Sequence, residues 1–178
     1  MTSTNISEAY KDSEIIQLAS KTGGSLTIEL MNYLTDTKNP IEMKIALINA
    51  LGWDIDGKNN STQFYEYLKV KNNLKDINEA SAEILICYAY LKAMDNYFDV
   101  DDAIKYAQKA KSKNYKNSYT INIICVLIED QKAMDSDWCE VYKLTNNVRV
   151  NNLLNKDMKE DAINIIFGYM DLYKDNCK

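Results

Sequence analysis

Five glycines and a single proline, Pro40, in 178 residues leave this chain few places where it is obliged to turn. A β-rich fold needs turn residues about every ten positions, and glycine and proline are the residues that best supply them. Helices need fewer breaks, and apolar side chains recur with a helical period from Ile15 to Leu172. The sequence therefore reads as all-α, with one domain spanning residues 1–178. A chain of this length buries roughly two thirds of its surface on folding, so its core needs no staple. The expected architecture is eight or nine short antiparallel helices stacked as hairpins, an α-solenoid rather than a four-helix bundle.

The breaks that do occur mark helix ends. Ala9, Ile15, Ile16, Leu18 and Ala19 form a first stripe that stops at Gly23-Gly24. Ser25 is placed to cap a second helix carrying Leu26, Leu30, Met31 and Leu34. Asn39-Pro40-Ile41-Glu42 reads as a start signal, with Asn as cap and proline in the first helical position. That helix turns Ile41, Ile45, Ile48 and Leu51 inward and ends at Gly52. Ser61 caps a shorter helix over 62–71. The longest unbroken pattern, 79–96, puts Ala80, Ile84, Cys87, Tyr88 and Leu91 on one stripe. A narrow stripe of Val100, Ala103, Ile104, Ala107 and Ala110 follows, then helices over 119–133, 136–146 and 157–174.

Residues 82–115, "AEILICYAYLKAMDNY" followed by "DAIKYAQKA", resemble a tetratricopeptide repeat. Ala89-Tyr90 stands where the first helix of that repeat carries its Ala-Tyr pair. Ala103 and Ala110 stand where the second helix carries small residues. Cys87 takes the place of the usual glycine, and Tyr115 stands near the expected proline. The resemblance implies stacked hairpins of tetratricopeptide- or HEAT-like kind.

Composition narrows the chemistry. There is no histidine, which removes the commonest general base, the usual zinc ligand and every Ser-His or Cys-His dyad. Cys87, Cys125, Cys139 and Cys177 have no Cys-x-x-Cys spacing and read as buried free thiols in a reducing cytosol. The start "MTSTNISEAYKDSE" is polar and has no apolar signal region, and the strongest apolar run, Ile121–Ile128, is too short to span a bilayer. The net charge is −5, with twenty lysines but only one arginine, Arg149, and no concentrated basic face for nucleic acid.

Asp54, Asp56 and Gly57 look like the start of a calcium loop. With Gly57 at position 6, however, Gly52 falls at position 1 and Gln63 at position 12, so the first ligand and the bidentate Glu are missing. "KTGGS" at Lys21–Ser25 has neither the Ser-x-x-Lys partner of penicillin-recognising enzymes nor the phosphate-loop spacing. The expectation is a protein that is not an enzyme, with no metal and no cofactor.

An acidic, motif-poor helical chain works through its surface. The Lys/Asn/Ile-rich composition and the helix ending "KIALINALGW" resemble the small immunity proteins encoded beside bacterial polymorphic or contact-delivered toxins. That resemblance implies a cytoplasmic protein that binds and occludes one cognate toxin domain, here a basic one, with no nucleic-acid or membrane partner. The alternative is a tetratricopeptide-like adaptor or chaperone that holds a peptide in a concave groove. Two acidic groups with a tryptophan are the candidate partner surface: Trp53, Asp54 and Asp56, and Glu129, Asp130, Asp135, Asp137 and Trp138. Asp99, Asp101 and Asp102 stand next in line.

Overall fold

A computed structural model describes residues 1–134 and 137–177. Among these residues the chain forms nine α-helices: α1 (Glu14–Lys21), α2 (Ile28–Thr35), α3 (Ile41–Leu51), α4 (Asn60–Lys71), α5 (Ala82–Asp95), α6 (Asp101–Ser112), α7 (Tyr119–Ala133), α8 (Trp138–Arg149) and α9 (Glu160–Met170). Short 3-10 turns occupy Ile6–Tyr10, Ile77–Glu79 and Asp171–Asn176. The all-α reading holds.

Several helix ends differ from expectation because remote residues decide them. Asn60 accepts the Leu26 N–H and donates to the Gly24 carbonyl, which holds 24–26 outside the helix. The second helix is therefore capped by Thr27 rather than Ser25, with Thr27 Oγ1 accepting from Leu30 N–H. Ser61 lies inside α4 instead of capping it, and its N–H is taken at 2.6 Å by Asp95 from the end of α5. Asn39 is not a cap either; its amide donates to the Tyr33 carbonyl. The expected first stripe is split between a 3-10 turn at Ile6–Tyr10 and α1, because Ser13 adopts an extended conformation.

The core is centred on α5 and α7. From Leu85 to Asp95 only Lys92 escapes full burial, and α7 is buried throughout from Ile123 to Ile128. A helix covered on all sides has no apolar stripe, which is why Ile84 is only half-buried while its neighbour Leu85 is fully enclosed. The small stripe of α6 (Ala103, Ala107, Ala110) is buried, and α6 packs more extensively on α5 than any other pair of elements does. Lys92 near the end of α5 pairs with Asp102 at the start of α6, and Lys113 just after α6 donates to the Ala80 carbonyl just before α5, so the two helices run antiparallel.

Consecutive helices pack from α4 to α8, and α3 packs on α1, α5 and α7. The last helix returns to the beginning of the chain, with α9 resting on the Ile6–Tyr10 turn. There Glu42 accepts hydrogen bonds from the Tyr10 hydroxyl at 2.6 Å and from the Lys159 N–H at 2.7 Å. The cysteine expectation is corrected as well. Cys87 and Cys125 are buried free thiols, but Cys139 and Cys177 form a disulfide with Cα atoms 4.8 Å apart. Spacing alone could not reveal that pair, because the turn after α9 carries Cys177 back along α8 to reach Cys139.

This packing predicts unequal tolerance along the central helices. Ile124→Asp places an unpaired charge in a site with no exposure, at a cost of about 4 kcal/mol or more, and should abolish the cooperative melt. Ile84→Asp, whose side chain reaches solvent, should melt cooperatively at a reduced temperature in far-UV circular dichroism.

Candidate acidic and aromatic docking face

The first candidate group sits on the loop that leaves α3. Gly52 ends the helix at φ +66°, and Lys58 donates from Nζ to the Leu51 and Gly52 carbonyls at 2.8 and 2.9 Å. That lysine replaces the capping bonds the helix end lacks and meets its negative dipole. Asp54 Oδ1 accepts the Asp56 N–H at 3.0 Å, a local turn, which leaves both carboxylates exposed. Gly57 has φ +79°, and a Cβ there would lie 3.1 Å from the Asp95 carbonyl oxygen, so glycine is required for the loop to lie against α5. Among the described residues no cluster of three or more His, Cys, Asp or Glu could hold a metal ion.

Trp53 is neither buried nor free. Its ring stacks on Tyr97 at 4.4 Å and meets the edge of Phe98 at 6.0 Å, leaving 39% of the residue exposed. Tyr97 is held in turn by α7, where Gln131 donates to its carbonyl at 2.6 Å. Phe98 and Ile55 are largely exposed beside them.

The second group is divided. Asp137 caps α8 by accepting the Glu140 N–H at 3.0 Å and remains exposed. Trp138 begins that helix and stacks almost parallel on Tyr173 at 4.6 Å, and Tyr169 meets Tyr173 edge-on. Glu129 is half-buried and accepts from the Gln108 side chain of α6. Asp135 lies outside the described residues.

Asp130 is corrected outright. It has no exposed surface and neither carboxylate oxygen has a hydrogen-bond partner, so it cannot meet a partner protein. Helical spacing puts it on the same covered side of α7 as Leu127 and Ile123. Burial pushes its carboxyl up to about 9; the Met1 ammonium opposes this, and Glu129 and Glu140 add to it.

The two tryptophan groups, 85 residues apart in sequence, belong to one face. Gln131 near the end of α7 holds the Tyr97 carbonyl, and the Asp137 N–H donates to the Ala133 carbonyl at 2.8 Å, so Tyr97 and the start of α8 lie at the same end of α7. Two aromatic shelves, Trp53 on Tyr97 and Trp138 on Tyr173, thus share that end, with Asp54, Asp56 and Asp137 exposed beside them. Asp99 and Asp101 stand close by, although Asp101 pairs with Lys132 and Asp102 with Lys92. The sequence reading missed Tyr97, Phe98 and Tyr173. The adjacent aromatics of "NYFD", in the turn between two helices, were the available signal.

A second concavity lies beyond the opposite ends of α3 and α5. It has a volume of about 830 Å³ and is bordered by Pro40, Glu83, Lys113, Tyr115 and Asp157. Three of its acids are engaged within the protein, Glu83 by Lys44 and Lys116, Asp157 by the Thr120 N–H, and Glu42 as described above, while Glu79 is exposed at its border. No protein-family model, curated protein or solved structure matches this chain.

The state of Asp130 can be tested by pH. Its folded pKa lies above the unfolded carboxyl value of 3.8. Its contribution is fully present below that value and is lost as pH rises towards 9. Asp130→Asn keeps the shape without the charge, so its melting temperature should exceed the parent's by a margin that widens from pH 5 to pH 8. About 5 °C at the upper end is expected, and a constant or shrinking gap would refute the assignment.

Proposed function

We propose that this protein is a non-catalytic inhibitor of immunity type that binds and occludes a basic toxin domain through its acidic aromatic face. The observation that carries the reading is that both tryptophan stacks, Trp53 on Tyr97 and Trp138 on Tyr173, lie at the same end of α7 with exposed aspartates beside them. Exposed carboxylates raise the encounter rate with a basic partner, and flat aromatic shelves supply contact area at small entropic cost. A toxin delivered into a cell is met inside it, so we place the protein in the cytoplasm. No helix among the described residues is long and apolar enough to cross a membrane.

The tetratricopeptide-like adaptor has one observation in its favour, the 830 Å³ groove at the other end of α3 and α5. The two readings separate by mutation. If the aromatic face docks a basic domain encoded beside this gene, Asp54→Lys with Asp56→Lys and Asp137→Lys should slow association about 10-fold at low salt, and less at high salt. Trp53→Ala should instead speed dissociation. Tyr115→Ala with Lys113→Glu, at the groove, should leave both rates unchanged; the reverse pattern would transfer function to the groove.

A further inference from the structure

The Cys139–Cys177 disulfide joins the first turn of α8 to the end of the 3-10 segment Asp171–Asn176. That segment contains no buried residue, and Leu172 at its centre is 68% exposed. It has little of its own with which to stay in place. The Arg149–Asp171 ion pair holds one end at 2.5 Å, the Trp138–Tyr173 stack holds the middle, and the disulfide holds the other end. An ion pair and the ring contacts of a partly buried Tyr173 with Trp138 and Tyr169 are weak constraints beside a covalent crosslink. The crosslink also adjoins the docking face directly, because Cys139 follows Trp138 and the segment it restrains carries Tyr173.

Accessibility singles out this pair. Cys139 and Cys177 are both half-buried, within reach of a small thiol. Cys87 and Cys125 are fully buried, and burial pushes each thiol up to about 12, so they neither ionise nor exchange at neutral pH.

We infer that Cys139–Cys177 is a reversible redox site, a clamp that holds Tyr173 beneath Trp138 and so assembles the second aromatic shelf. The exchange partner is a glutathione-type thiol. Its thiolate attacks one sulfur of the pair, forming a mixed disulfide and releasing the other cysteine as a thiolate. A second thiol then attacks the mixed disulfide. Two thiols are oxidised to one disulfide, while Cys139 and Cys177 gain two electrons and two protons. The effect on docking rests on the function proposed above: the oxidised form presents both shelves, and the reduced form presents the Trp53–Tyr97 shelf alone.

The test uses the full chain carrying Trp53→Phe, which leaves Trp138 as the only tryptophan. The protein is oxidised with glutathione disulfide, and its emission, acrylamide quenching and proteolysis are compared before and after reduction. Reduction should red-shift and expose Trp138 and speed cleavage within 169–177 about 10-fold, with the far-UV spectrum unchanged. Cys177→Ser in the same background should show the reduced behaviour from the start and ignore the reductant. The clamp is overturned by four free thiols in the denatured oxidised protein, by emission and cleavage that do not respond to reduction, or by a response that survives Cys177→Ser. Association of the parent protein, with both tryptophans present, with a cognate basic domain then separates the two ideas. Equal binding to oxidised and reduced protein refutes control by the clamp and leaves the docking face standing. Binding to neither form, with Trp138 still responding, refutes the docking face and leaves the clamp.

Discussion

Asn49, Tyr90 and Gln131, one from each of α3, α5 and α7, form the polar cluster on which the rest of the molecule depends. Tyr90 donates to the Thr2 carbonyl at 2.6 Å, and Asn49 donates to the Tyr90 hydroxyl and to the Thr4 carbonyl. Gln131 Oε1 accepts from the Thr2 N–H, the Thr2 hydroxyl and the Met1 ammonium. These groups are buried, so each lost partner would cost the desolvation of the atom left behind. The cluster fixes the three central helices relative to one another and turns Met1 and Thr2 into part of the core. The other end of the Gln131 amide holds the Tyr97 carbonyl, and Tyr97 is the ring on which Trp53 rests. The aromatic face thus stands on the buried cluster.

The two ends of α3 and α5 differ in how their acids are used. Around the groove, Glu42, Glu83 and Asp157 are consumed by hydrogen bonds and ion pairs that tie α3, α5, α7 and the segment before α9 together. At the aromatic end, Asp54, Asp99 and Asp137 accept only local backbone N–H groups, which order the loops without neutralising the charge. Exposed acids also lie elsewhere on the surface, Asp12, Glu29, Glu79 and Glu160 among them, so what sets the aromatic end apart is that its acids stand beside two partly exposed tryptophan stacks.

Asp130 illustrates the opposite use of an acid. Its carboxyl sits near the Met1 ammonium without pairing with it, and burial lowers that ammonium to about 6 as it raises the acid. Both groups are held towards their neutral forms inside the fold. Neither is available to steer a partner.

The amino-acid order by itself determined that the chain is helical, with eight or nine helices, and roughly where each lies. Scarce glycine and proline and the persistent 3.6-residue period are local properties, and α7 runs over the residues that its apolar pattern implies. It also placed Trp53 and Trp138 on acidic hairpin ends. Only the tertiary structure decided which ends are capped by distant residues, as Asp95 caps α4, because such a hydrogen bond leaves no periodic trace. Only it separated Asp130 from Asp137, since both are acids in one stretch and the difference lies in what covers α7. It alone brought Tyr97 against Trp53, Tyr173 against Trp138 and Cys177 onto Cys139. Those contacts join residues far apart in the chain, and packing, which acts through distance in space, chose them.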